Sequence, residues 1–208
     1  MRLILASTSP RRRQILELLG LPFEMIAPDF EELGSSDRPA REEVLDFALG
    51  KAASVAKDNS KSIVIGSDTI IVLDEKKIGK PAGVADAKQI LRRLSGKTHR
   101  IFTGLVILDG LGGPGLRFVE EVFVEMRAYS EQEIDEYLAC NESLDKAGAY
   151  SIQEGGRGLI EYIRGDYLAA VGLSLKPIAN YLKSRGFKVP SNVEQLYSDK
   201  AFLNWQSF

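Results

Sequence analysis

The stretch SIVIGSDTIIVLD, Ser62 to Asp74, constrains the fold most. Two β-branched runs flank Gly66-Ser67-Asp68, and such runs belong in strands. An acid between buried runs is costly unless it binds a metal, pairs with a cation or does acid–base work. A turn aspartate bonding its own backbone is the alternative. The pattern predicts two runs interrupted at Gly66-Ser67-Asp68, a turn at Glu75 and Lys76, and a hairpin closed by KIGKP. Lys80 then lies a hairpin's length from Asp68, so that ammonium and carboxylate can face one site.

The rest of the chain fits around this hairpin. RLILA reads as a first strand, and Pro10 to Leu19 as a helix stopped by Gly20, with Ile15, Leu16, Leu18 and Leu19 on one side. PFEMIA is a second strand, and Pro28 to Ala40 is a polar, acidic loop. Arg41 to Ala56 reads as a helix with Val44, Phe47, Ala48 and Ala52 inward and Lys51 near the edge of that face. Further helices are predicted over Ala85 to Leu94, Glu131 to Leu138 and Ser174 to Ser184. HRIFTGLVILD and LRFVEEVFVEMRA form a long hairpin through GLGGPG. The tail to Phe208 has no clear period. Strands alternate with helices early and pair as hairpins later, so the class is α/β with a mixed sheet.

Ser9-Pro10 is a helix start, with a hydroxyl cap and proline in the first turn. Arg11, Arg12 and Arg13 follow, at the end of the helix that is already positive. Unpaired amides, a dipole end and guanidinium forks together suit an anion such as phosphate. A solvated helix face is the alternative, and Arg13 fits it. Asp145-Lys146, followed by Tyr150 and Gln153, forms a further signal, since an amide can read a base edge with paired bonds.

Other chemistry is excluded. Six residues of GLGGPG match G-x-G-x-x-G but precede a strand rather than open a helix, so they are no dinucleotide fingerprint. One cysteine, Cys140, allows no intrachain disulfide and no cysteine-rich zinc site. One histidine, His99, makes a multi-histidine metal site unsuitable and reads as structural. The net charge of -2 provides no bulk attraction for nucleic acid or anionic membrane. No run approaches the roughly 20 apolar residues of a membrane span, and MRLILAS is too short for a signal core. A cytoplasmic protein is expected. A polyanion, a divalent cation and a carboxylate together point to phosphoryl chemistry.

LILASTSPRRRQILELLG, GSDTIIVL with GKP, ILRRLSGKTHRIFTGL, and DKAGAYSIQ with IEYIRGDYLAAVGLSL resemble, in that order, the Maf family of nucleoside triphosphate pyrophosphatases. The resemblance implies an α/β fold related to the inosine triphosphate pyrophosphatases: an elongated mixed sheet with flanking helices, two lobes around a cleft, and a homodimer. Residues 1–185 would form one catalytic domain and 186–208 a tail of unassigned role. The implied reaction is hydrolysis of a nucleoside triphosphate to the monophosphate and pyrophosphate with Mg²⁺ or Mn²⁺.

The family motif falls on Ser7, Ser9, Pro10, Arg11 and Arg12, on Glu32 with Glu31 as its neighbour, and on Lys51, Asp68, Lys80, Asp145, Lys146 and Gln153. By this resemblance Ser9, Arg11, Arg12, Lys51 and Lys80 hold the phosphates. Asp68 acts as general base or metal ligand, with Glu32 as a second ligand. Arg11, Thr69 and Gln153 read the base. Thr69 and the I-Q pair resemble the branch acting on dTTP and UTP rather than the branch acting on N7-methyl-GTP. Glu154 stands where the family usually has glycine. The rival expectation is a nucleotide-binding regulatory protein linked to cell division, which would bind without turnover.

Overall fold

The computed structural model describes residues 2–35 and 37–208. Met1, the first residue of the expected catalytic domain, and Ser36, in the acidic loop, lie outside the described residues. In chain order the elements are β1 (Arg2–Ala6), α1 (Pro10–Glu17), β2 (Glu24–Ile26), α2 (Ala40–Ala56), β3 (Ser62–Leu73), β4 (Lys76–Ile78), α3 (Val84–Leu94), β5 (Thr98–Asp109), β6 (Leu116–Met126), α4 (Glu131–Ala139), β7 (Ile160–Arg164), α5 (Tyr167–Val171), α6 (Leu175–Ser184) and α7 (Val193–Ser198). None of the described helices is long and apolar enough to cross a membrane.

The strands form one seven-stranded mixed sheet in the order β2-β1-β3-β5-β6-β7, with β4 paired to β3. β1 runs parallel to β2 and β3, whereas β3, β5, β6 and β7 pair antiparallel. The fold is therefore α/β with a mixed sheet and flanking helices, as the pattern of elements predicts.

Side chains alternate across β3. Val64, Ile70 and Val72 pack toward α2, whose Val44, Phe47, Ala48, Ala52 and Val55 cover that face. Ile63, Ile65, Ile71 and Leu73 enter the larger core on the opposite face, with Ile15, Leu16, Leu91, Ile134, Leu168 and Ile178. α2 lies unusually close to the sheet, because two glycines face it. A Cβ on Gly66 would sit 2.2 Å from the Ala48 carbonyl oxygen, and one on Gly104 would sit 2.5 Å from that of Val44.

β3 corrects one sequence expectation. Gly66-Ser67-Asp68 does not interrupt the strand. The ladder to β5 continues through Gly66↔Val106, Ser67↔Leu105 and Asp68↔Gly104. Gly66 serves helix approach rather than a turn. The hairpin turn is Asp74-Glu75, both at left-handed φ of 50° and 60°, and Lys76 already belongs to β4. α1 ends at Glu17 rather than Leu19, with Gly20 at φ +68° as the stop. His99 is structural, as expected: it is buried, with Nε2 2.8 Å from the Tyr150 hydroxyl.

The aperiodic tail is ordered by long-range contacts. α7 carries Tyr197, whose hydroxyl donates to Asp166 at 2.8 Å, and Trp205 stacks on Tyr167 at 5.4 Å. A tail held by single aromatic anchors shows no helical or strand period, which is why pattern reading finds nothing there.

Candidate active site

The site begins where β1 stops. Ala6 pairs with Gly66, the last β1 contact on β3, and β4 meets β3 only from Ile71. Between them no described strand covers this edge of β3, and Ser67, Asp68 and Thr69 lie along it. The chain leaving β1 runs over this gap as Ser7–Ser9 and enters α1. Open parallel sheets hold ligands in this position, outside the carboxyl ends of strands where their order reverses.

Ser9 caps α1: its hydroxyl accepts from the Arg12 amide at 3.5 Å, and Ser7 Oγ accepts from the Ser9 amide at 3.1 Å. The three arginines then separate. Arg13 points outward and pairs with Glu17, 2.8 Å away. Arg11 is half-exposed at the helix start. Arg12 turns inward: Nε donates to the Gly172 carbonyl at 2.9 Å, and Nη2 lies 3.4 Å from Thr69 Oγ1 and 3.8 Å from Asp68 Oδ1. Ser67 Oγ donates to the same Gly172 carbonyl at 3.1 Å. Gly172 closes α5 at φ +136°, a conformation that favours glycine. Sequence reading singled out Arg12 as a phosphate ligand but missed Gly172. The signal was a glycine directly after the apolar helix YLAAV.

Asp68 and Thr69 point to opposite faces. Thr69 Oγ1 meets Thr103 Oγ1 at 3.2 Å, and Thr103 Oγ1 donates to the Ala169 carbonyl at 2.8 Å. Asp68 faces α2, where Lys51 Nζ donates to its Oδ1 at 2.5 Å. The same ammonium lies 2.5 Å from Glu32 Oε1, in the acidic loop. Glu32 rather than its neighbour Glu31 therefore makes the contact. Lys51 and Asp68 are both buried. Burial pushes the Asp68 carboxyl above its usual range, against the pull of Arg12 and Lys51, and Glu32 adds to the rise.

A second polar group lies nearby. Lys146 Nζ donates to the Glu142 carbonyl and to Asp145 Oδ1, both at 2.8 Å, and lies 3.4 Å from Glu154 Oε2. Lys146, and to a lesser extent Arg11, hold the Asp145 carboxyl below its usual range, so this group shares a field with the start of α1. The Gly148 amide donates to the Gly79 carbonyl at 3.1 Å, setting exposed Lys80 beside the same segment. Gln153 is nine-tenths buried, and its Nε2 has no hydrogen-bond partner among the described residues.

The structure thus joins Ser7, Ser9, Arg12, Thr69, Asp68, Lys51 and Glu32 in one linked region. Arg11 is the electrostatic link to Asp145, whose neighbour Lys146 pairs with Glu154, next in sequence to Gln153, and Lys80 is joined to this segment through backbone. Two sizeable cavities lie elsewhere, beside the β5–β6 turn and beneath the start of α2, and Asp68 lines neither. Chemistry rather than concavity marks the candidate site. Two hard carboxylate donors, Asp68 and Glu32, meet on the Lys51 ammonium, and their oxygens are of the type that Mg²⁺ or Mn²⁺ takes. Among the described residues no three carboxylate, histidine or cysteine side chains form a complete metal cage.

Residues 2–185 match a family model described as Maf-like protein. A Bacillus cereus (strain ZK / E33L) protein named dTTP/UTP pyrophosphatase is 43% identical over 183 residues, covering 88% of this chain and 94% of the relative. A Bacillus anthracis protein of that name matches to the same extent, and one from Bacillus mycoides (strain KBAB4) is 42% identical with the same coverage. Among solved structures, the Staphylococcus aureus Ham1 protein aligns with a TM-score of 0.42 and 18% identity, over 61% of this chain and 72% of that one.

Proposed function

The chain belongs to the Maf-like protein family, and from that premise we propose that it hydrolyses dTTP and UTP to the nucleoside monophosphate and pyrophosphate at the site around Asp68. The observation that carries this reading is the buried Asp68 carboxylate held between Lys51 and Arg12, beside a capped helix start.

Asp68 orients a water and takes its proton as the water oxygen bonds to the α-phosphorus. The bond from that phosphorus to the α–β bridging oxygen breaks, and pyrophosphate departs. Arg11, Lys80 and the amides of α1 neutralise the departing charge. Arg12 keeps Asp68 and Thr69 in place through its anchor on Gly172. Asp68 and Glu32 would hold a divalent cation, Mg²⁺ or Mn²⁺, whose chemistry when bound is neutralisation of polyphosphate oxygens. Lys51 spans the same two carboxylates and balances their charge. Gln153, with a donor and an acceptor on one amide, reads the pyrimidine edge, with Arg11 and Thr69 as its partners in base choice.

Product analysis tests the reading. With dTTP, UTP and N7-methyl-GTP, the first two should yield monophosphate and pyrophosphate, and Asp68→Asn should abolish release. Orthophosphate as the product, or preference for N7-methyl-GTP, overturns it. Binding of nucleotide without any turnover would favour the regulatory alternative.

A further inference from the structure

The matched family region ends at residue 185, yet the tail beyond it reaches the segment that carries Gln153. Asn204 Nδ2 donates to the Gln153 carbonyl at 2.8 Å and lies 3.5 Å from that of Ile152. Asn204 itself is held in a left-handed conformation, φ +62°, which asparagine tolerates. Its neighbours fix it there. Trp205 stacks on Tyr167 at 5.4 Å and meets Tyr197 edge-on at 4.9 Å. The Arg157 guanidinium, on the 3-10 turn that follows Gln153, donates to the Ser207 carbonyl at 2.9 Å and lies 4.4 Å from the Phe208 ring.

Gln153 presents a buried Nε2 with no partner among the described residues. An orphaned buried donor costs free energy unless a ligand acceptor satisfies it. Its usefulness depends on where the backbone holds it, and the tail supplies a hydrogen bond to that backbone at the Gln153 carbonyl.

We infer that Asn204 is a positioning residue for base recognition, and that the C-terminal tail acts as a strap holding Gln153 in register with the pyrimidine. The inference rests on the pyrophosphatase reading and deepens it. Neither the base nor the reacting atoms need touch Asn204. Its contribution is to fix the amide that reads the base.

The test uses the full chain and two variants. Asn204→Gly keeps the left-handed backbone and deletes the amide. Asn204→Asp keeps the shape and turns an acceptor toward the Gln153 carbonyl. Dissociation constants for the α,β-methylene analogues of UTP and CTP are measured by calorimetry, beside kcat and KM for the two triphosphates. The expected result is a UTP-over-CTP preference reduced about fivefold in Asn204→Gly, the worth of one hydrogen bond, and at least as far in Asn204→Asp. The change should fall in KM, with kcat for UTP within about twofold of wild type, since the phosphate machinery is untouched. An unchanged preference in Asn204→Gly overturns the inference. So does an equal loss for both nucleotides that tracks thermal stability, or a wild type that binds both analogues equally. If Asn204→Asp does not fold, Asn204→Gly decides. If wild type releases no pyrophosphate, the proposed reaction fails, and the binding preferences still decide the role of Asn204.

Discussion

Lys51 Nζ lies 2.5 Å from Asp68 Oδ1 and 2.5 Å from Glu32 Oε1, so that one ammonium joins a strand carboxylate to a loop carboxylate. Asp68 is buried, and removing Lys51 leaves its desolvated charge with only Arg12, 3.8 Å away, to compensate it. Lys51→Met should therefore destabilise the fold by about 3 kcal/mol. The double variant Lys51→Met/Asp68→Asn should recover part of that loss, because the orphaned charge is gone. Urea denaturation of Lys51→Met, Asp68→Asn and the double variant checks this; strict additivity would show that the pair is not coupled.

The arginines of α1 should differ in kind. Arg12 is fixed on Gly172 and Thr69, so Arg12→Lys, which cannot reproduce the fork, should lower both kcat and thermal stability. Arg11→Ala should raise KM for the triphosphate at least tenfold with stability unchanged, by loss of a charge-assisted phosphate contact. Arg13→Ala should leave kinetics unaltered and cost under about 0.5 kcal/mol, since its partner Glu17 is an exposed helix neighbour. Steady-state kinetics and melting curves on the three variants separate these outcomes.

Gly66 sets the distance between α2 and β3. Gly66→Ala would bring a Cβ to 2.2 Å from the Ala48 carbonyl oxygen, so the helix must retreat. The expected cost is about 3 kcal/mol from overpacking, with loss of turnover as Lys51 moves from Asp68. A variant of wild-type stability and activity would mean that the close approach is not needed.

These three predictions follow the line between what was legible in the chain and what was not. The cap at Ser9, the inward face of α2 and an acid in an apolar run are local patterns, and each occurs where it was read, whereas Lys51, expected near the edge of that face, is buried within it. The break at Gly66-Ser67-Asp68 was misread, because glycine signals a turn as readily as a close helix approach, and only the position of α2 distinguishes them. Arg12 reads as a phosphate ligand from its place at the start of α1 and from the family motif. Its anchor is a carbonyl 160 residues away, which no spacing rule reveals. Asn204 was missed for the same reason: its partner is 51 residues away and its own segment has no period.

His99 makes stability depend on pH. Burial lowers its pKa from 6.5 to about 4, so the folded protein refuses a proton that the unfolded chain accepts. Its contribution is complete above the unfolded value and is lost as pH falls toward the folded one. Between about pH 7 and pH 5 the linkage predicts a loss of about 2 kcal/mol. Urea denaturation at both pH values checks it. His99→Gln should show a smaller difference, and an equal difference would assign the loss to other groups.

Hydrolysis in ¹⁸O-labelled water tests the central claim most directly, because it reports which phosphorus is attacked. With UTP as substrate, attack directed by Asp68 at the α-phosphorus places the label in UMP and leaves the pyrophosphate unlabelled. Label found in pyrophosphate, or in orthophosphate, would show attack at another phosphorus and contradict the account.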